Sequence, residues 1–374
     1  MRTTITHLIR FSYTHIVKKV LFLFNPEAVH TSATSLGKKL GDFRLTENIM
    51  TSLFATKAPS IAQSLFTIQF SSPVGLAAGF DYKAELTHVL PCLGFGFGTV
   101  GTLTNLPYEG NPRPMLGRLP KSRSLMVNKG FKNRGIEATL ETLRDKTFAY
   151  PVGVSIGKTN TSAITTQEQA VEDVVAAFIK AEKSEVPFAY YELNISCPNL
   201  FGSIEFYEPH HLEQLLTAVQ EVGVRRPIFV KMPISKTDEE IFDMMDVIVQ
   251  HDCIKAVIFG NLQRDRGAPS LRPDEVAQFP KGNFSGIPCQ QRSDELIRMI
   301  FKKYGSRIKI IGCGGIFSAE DAYRKIKYGA SLVQLITGLV FEGPQLTSQI
   351  NEGLATLLTR DGYRYITEAV GVDA

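Results

Sequence analysis

The densest chemistry in the chain is the run Asn194-Ile195-Ser196-Cys197-Pro198-Asn199. Asparagine side chains both donate and accept hydrogen bonds, so a pair of them matches the edge of an amide or imide ligand. A cysteine stands between them, and Pro198 interrupts regular pairing just after it, which leaves the thiol on a loop. A thiol so placed suits work as a base or as a nucleophile; a lone cysteine is otherwise a small buried hydrophobe. Lys231 is the second candidate. It follows Ile228, Phe229 and Val230 in an otherwise apolar run, and a lysine buried in a strand is costly without an anionic partner such as a phosphate.

These residues must be held by the elements around them. Eight short β-rich runs occur, PVGLAAG (73–79), FGFGTVGT (95–102), VGVSIG (152–157), YYELNIS (190–196), IFVKM (228–232), AVIFGN (256–261), IKIIGCGG (308–315) and SLVQLITG (331–338). Between them, residues 171–183, 211–223, 238–251, 294–305 and 319–329 carry apolar residues at helical spacing. Near-continuous apolar strands alternating with helices imply a parallel sheet buried on both faces. Eight such units predict an α/β chain closed into a (β/α)8 TIM barrel, whose site lies at the C-terminal strand ends. Those ends carry Ala77-Ala78-Gly79, Thr102, Ser155, Asn194, Lys231, Asn261, Gly314-Gly315 and Thr337-Gly338. Such a set suits a planar, polar ligand bearing a phosphate, held on backbone N–H groups of the last two Gly-rich turns. Gly96, Gly98 and Gly101 match a dinucleotide fingerprint, but they lie inside a strand run and no helix follows, so that match is a decoy.

Composition and charge narrow the classes. The 374 residues are 44% hydrophobic and 21% charged, which is ordinary globular composition. The five cysteines are odd in number and scattered, so neither a disulfide framework nor a zinc site is expected, and a reducing compartment is. No catalytic triad or carboxylate pair stands out, and none of the seven histidines falls at a strand end. No metal is expected. Residues 1–40 carry Arg2, Arg10, Lys18, Lys19, Lys38 and Lys39 against Glu27 alone, a basic head on a near-neutral body. Residues 6–24 are apolar but broken by charges, which fits a basic amphipathic helix at a membrane interface better than a spanning helix or a signal peptide. A capped helix from Asn25-Pro26-Glu27 to Gly41 follows, then a second short one over 46–55. The expected division is a membrane-docking head over 1–60 and a barrel over 61–374. With no basic, aromatic-studded stripe in the body, nucleic acid is not an expected partner.

Five motifs in order, GLAAGFD (75–81), EGNPRPMLGRLP (109–120), NISCPN (194–199), IIGCGGI (310–316) and GASLVQLITG (329–338), resemble those of dihydroorotate dehydrogenases over nearly the whole chain. FNPEAVHTSATSLGKKLG (24–41) resembles the N-terminal helices of the membrane-associated, quinone-reducing class. The resemblance implies FMN-dependent oxidation of dihydroorotate to orotate in pyrimidine biosynthesis, with a quinone as acceptor, in a monomer lying peripherally on the cytoplasmic face of a membrane. It implies FMN contacts from Ala77, Ala78, Gly79, Thr102, Ser155, Asn194, Lys231, Ser285, Gly286, Gly314, Gly315, Thr337 and Gly338. Substrate contacts would come from Lys83, Asn128, Asn194, Asn199 and Asn261, and His30 and Arg118 would line a quinone channel. Cys197 would be the base and Lys231 would stabilise charge on the reduced flavin.

The chain departs from the quinone class in four places. Cys197 stands where that class has serine, as in the soluble, fumarate-reducing class, and Ser155 replaces an asparagine. Tyr82 separates GFD from Lys83, and Asn128 lies one place nearer its glycine. The alternatives are the same oxidation with fumarate as acceptor, a related flavin-dependent dihydropyrimidine or dihydrouridine reductase, and a membrane-docked scaffold that kept a flavin-binding barrel.

Overall fold

In a computed structural model, which describes residues 2–56, 58–202 and 204–374, the eight expected strands close into one barrel. Met1 and Lys57, both within the expected head, lie outside the described residues. The strands are β1 (Val74–Leu76), β2 (Phe97–Leu103), β3 (Val152–Ile156), β4 (Tyr190–Asn194), β5 (Ile228–Met232), β6 (Ile254–Phe259), β7 (Lys309–Cys313) and β8 (Ala330–Leu335). Each pairs in parallel with its neighbours in chain order, and β8 returns to β1. Most are shorter than the runs read from sequence, because the tips turn out at the mouth through left-handed glycines such as Gly79 (φ 111°) and Gly314 (φ 96°).

Side chains alternate along a strand, so inward residues stack in layers. The lowest layer is aromatic: Tyr190 stacks on Phe229 at 4.7 Å, and Phe97 packs edge-on to Phe70 at 5.4 Å. Phe70 comes from a hairpin of Gln63–Leu65 and Ile68–Phe70 that plugs the lower end. Its turn residues, Phe66 and Thr67, both take positive φ, which hairpin geometry demands but which sequence reading assigns to Asn or Gly. Two residues up each strand lies a polar layer. Glu192 Oε1 accepts from Thr99 Oγ1 at 2.6 Å and from Gln334 Nε2 at 2.6 Å. Asn194 lies two residues above Glu192, and Lys231, two above Phe229, pairs with it in register. Alternation therefore delivers these two side chains to the mouth.

Helices Gln167–Lys183, Pro209–Glu221, Asp238–Ile248, Gln290–Tyr304 and Ala319–Lys327 cover the outside. Thr166 and Thr237 begin two of them with reciprocal capping boxes. Helices Ile136–Leu143 and Leu346–Asp361 complete the shell beyond the helices expected. A three-stranded antiparallel sheet, Leu116–Leu119, Ser124–Val127 and Asn283–Phe284, adds to the barrel; its strands have two to four residues, too few to show a period.

The head is helical throughout. Arg2–Ser12 runs through a π turn at Tyr13–Val17 into Lys18–Leu21. Asn25 caps Pro26–Gly41 by accepting from Glu27 N and Ala28 N, and Arg44–Phe54 follows, two residues ahead of the expected start. The head is tied to one short barrel helix, Thr337–Glu342. Tyr13 donates to Val340 O at 2.8 Å and Lys18 to Phe341 O at 3.0 Å. Buried Glu342 accepts from Arg10 at 2.9 Å and from Arg123 at 2.5 Å. Glu342→Ala should loosen the head by about 1 kcal/mol after solvent screening of the half-exposed arginines. Tryptic cleavage within residues 10–24 should then run roughly fivefold faster. An unchanged cleavage rate would mean that Glu342 does not seat the head.

Candidate functional site

One cavity of about 620 Å³ runs from the barrel mouth into the head, within the range of small-molecule sites. Its floor is the ring of strand tips. Ala77, Ala78, Gly79, Thr102, Asn194, Cys197, Asn199, Lys231, Asn261, Ser285, Gly286, Gly314, Gly315, Thr337 and Gly338 all line it, as do His30 and Arg118 at the head side. Seventeen of the twenty residues expected at the site thus share one cavity.

The floor is a hydrogen-bonded chain of amides and hydroxyls. Asn194 Nδ2 donates to Thr102 Oγ1 at 2.8 Å, and its Oδ1 accepts from Ser196 Oγ at 2.8 Å. Asn261 Nδ2 donates to Ser196 O at 2.7 Å, and Asn283 Nδ2 to Asn199 Oδ1 at 2.7 Å. This chain fixes which face each amide turns to a ligand. Lys231 is buried and lines the cavity, yet makes no hydrogen bond or ion pair among the described residues. An orphaned ammonium at a cavity wall fits an anionic ligand edge. Beneath it, Glu192 Oε2 is buried without a partner among the described residues; burial raises this carboxyl and Lys231 lowers it. Burial pushes the Cys197 thiol up to about 12, opposed by the Asn199 N–H and by Lys231 and Lys158.

At the other end, Ser285 Oγ and Thr337 Oγ1 are 2.7 Å apart, beside Gly286, Gly314 and Gly315 in left-handed conformations. A Cβ on Gly315 would lie 2.3 Å from Gln290 Cβ, so only glycine keeps backbone N–H groups at this wall. Hydroxyls and close-packed glycine backbone on one side and Lys231 on the other suit a ligand with a phosphate at one end and a ring of delocalisable charge at the other.

Three expected residues are not on the cavity wall. Ser155 is fully buried behind Thr102, 2.9 Å from its hydroxyl. The Asn128 amide is turned away, accepting from Asn111 Nδ2 at 3.0 Å and donating to Pro112 O. Lys83 lies outside because the Asp81 carboxylate accepts from Glu85 N and Leu86 N and turns the chain there, which puts Tyr82 on the wall instead. Sequence reading missed Lys129, whose Nζ sits 4.7 Å from the Tyr82 ring centre and whose pKa burial lowers to about 8. Its neighbours Asn128 and Gly130 were the signal; a loop lysine by itself reads as solvated.

Above the floor the walls become apolar: Val29, Ala33, Leu36, Leu40, Met50 and Phe54 from the head face Leu86, Val89 and Leu90 from the barrel. His30 stands at the junction, with Nε2 2.9 Å from Phe80 O and its ring stacked on Tyr82 at 5.6 Å. Arg118 donates to Phe22 O and Phe24 O and lies over the Phe22 ring. Outside, Leu8, Phe11, Ile16, Leu23, Phe43 and Leu45 of the head are exposed, an unusual concentration of large apolar side chains in solvent. No described helix is long and apolar enough to cross a membrane, and no group of residues suited to a metal occurs among the described residues.

The family model for dihydroorotate dehydrogenase matches residues 60–358. A dihydroorotate dehydrogenase (quinone) of Nocardia farcinica is 35% identical over 365 residues, covering 96% of both chains. One from a Sulfurovum species is 37% identical, covering 97% of this chain and 99% of its own. The crystal structure of DHODH in complex with ferulenol from Eimeria tenella superposes with a TM-score of 0.82 at 27% identity, covering 93% of this chain and 96% of that one.

The His30 ring makes the head's seating pH-dependent. Burial, followed by the charge of Lys129, lowers it from 6.5 to about 3. The unfolded chain therefore takes a proton below pH 6.5 that the folded one refuses until near pH 3, so stability is full above 6.5 and falls across that window. The melting point should decline more steeply from pH 7 to 4 in the wild type than in His30→Gln; parallel declines would refute this.

Proposed function

The chain belongs to the dihydroorotate dehydrogenase family, and on that premise we propose how its residues do the work. It is an oxidoreductase that converts dihydroorotate to orotate with a quinone as electron acceptor. The family uses a flavin, and we assign FMN as the group on the strand tips. Bound there, FMN supplies a two-electron acceptor for the hydride at substrate C6.

The chain's own residues do the rest. Cys197, as thiolate, takes the C5 proton and becomes a thiol, so proton and hydride leave from adjacent carbons. Asn194, Asn199 and Asn261 orient the pyrimidine edge and carboxylate, an entropic contribution to rate. Lys129 on the wall replaces Lys83 as the cation available to the substrate carboxylate. Lys231 compensates the negative charge that reduction creates, an electrostatic role. Ser285, Gly286, Gly314, Gly315, Thr337 and Gly338 hold the phosphate. Ser155 acts through Thr102, and Asn128 through Asn111, rather than by contact.

The observation that carries this reading is the continuity of one cavity, with Cys197 and the unpartnered Lys231 on its floor and an apolar passage leading out between the head helices. The passage suits an isoprenoid quinone; a fumarate dianion would gain nothing from those walls. Residues 1–60 are accordingly a head that rests its exposed apolar face on a membrane, from the cytoplasmic side, while 61–374 form the barrel, working as a monomer. The purified protein should be yellow, bleach with dihydroorotate, and recolour faster with ubiquinone or menaquinone than with fumarate or NAD; a faster fumarate reaction would favour the soluble-acceptor reading suggested by Cys197 and Ser155. In Cys197→Ala, anaerobic flavin reduction by dihydroorotate should slow by roughly 10²–10⁴-fold with FMN content retained. A rate near wild type would remove Cys197 as the base.

A further inference from the structure

A second, small cavity shares Cys197 and Asn194 with the main one. Its volume is about 40 Å³, room for a water molecule. Its walls include Lys158, Glu205 and Tyr207. Lys158 follows β3, is 3% exposed, and is absent from the wall of the main cavity. Its Nζ has no hydrogen-bond partner among the described residues. The carboxylate acting on it, Asp173, is already engaged, accepting from Thr159 N at 2.7 Å and from Thr159 Oγ1 at 2.8 Å. A buried, unpaired ammonium is among the costlier things a fold can keep, and nothing in the packing of β3 requires one.

We propose that Lys158 is a positioning residue for Cys197, a fixed cation held beside the thiol so that the thiolate is stabilised while it takes the substrate's C5 proton. This rests on the reading of Cys197 as the base. The C5–H bond breaks and the S–H bond forms, the C5–H electron pair becomes the C5=C6 double bond, and the C6–H pair leaves as the hydride that the flavin would accept. Two cations act on the thiol, Lys231 and Lys158, along with the Asn199 N–H. Lys231 also faces the buried Glu192 and the flavin site, so its charge is shared. The pKa of Lys158, which burial lowers, is raised in turn by Asp173 and by Cys197. The remaining ionisable groups nearby act one step removed: Tyr207 faces Cys197, and Glu205 and Arg264 act on Tyr207. Serine in this position would gain little from such a cation, since a hydroxyl stays protonated far above a thiol; a cysteine gains directly.

The test is the pH profile of anaerobic flavin reduction by dihydroorotate in FMN-loaded wild type, Lys158→Met and Lys158→Arg. Removing the charge should move the acid limb upward by about one pH unit, a tenfold loss at pH values on the limb, while Lys158→Arg keeps the limb within a few tenths of a unit. Lys158→Gln, which keeps a polar end over the small cavity, serves where the methionine variant does not load flavin. In the same substrate-free proteins, the pH dependence of Cys197 alkylation by iodoacetamide, read by peptide mass spectrometry, should move in the same direction. A loss equal at every pH, or coincident limbs in wild type and the neutral variants, overturns the proposal. A wild type that dihydroorotate does not bleach overturns the proposed function instead.

Discussion

A lysine on an inward position of a barrel strand constrains much of what surrounds it. Lys231 sits two residues above Phe229, in a layer whose floor is aromatic, and its charge must be met by something. From below it meets Glu192, a carboxyl that Thr99 and Gln334 hold through one oxygen while the other is left without a partner. From above it meets the cavity. Because the strands close in chain order and the hairpin through Phe70 seals the far end, the mouth is where the charge can be answered by a ligand. On the proposed function an anionic, delocalised ring there would answer that charge, so recognition of the ligand and burial of the lysine are one problem.

Most of this was legible in the amino-acid sequence. The eight runs, their alternation with helices, and the small or polar residues at their ends sufficed for the barrel and for most of the cavity floor. Alternation also carries Asn194 and Lys231 to the mouth without help from any motif. What escaped had physical reasons. The plugging hairpin turns on Phe66 and Thr67 at positive φ, residue types that carry no turn signal in a sequence. The small three-stranded sheet is too short for any period. Lys83 and Asn128 were placed by matching motifs across a shifted spacing, and neither shift is harmless: one extra residue puts Tyr82 on the wall, and one fewer leaves the Asn128 amide bonded to Asn111. The same shift brings Lys129 to the site.

The head shows a different division of labour. Its inner face builds half of an apolar passage, and its outer face leaves leucines and phenylalanines in solvent. A helical pair packed only on its own domain would bury the second set. His30 joins the two regimes, neutral because it is buried and close to Lys129, and stacked on the aromatic ring that displaced Lys83 from the wall. A neutral imidazole there keeps a charge off the apolar wall of the passage.

The short helix Thr337–Glu342 has a further consequence. Its first turn brings Thr337 to the proposed phosphate end of the cavity, while its last three residues hold the head through Tyr13, Lys18 and Arg10. Six residues therefore join that end of the cavity to the seat of the head, and linkage makes any coupling between the two mutual. On the proposed function, filling that end of the cavity and seating the head are coupled through these six residues.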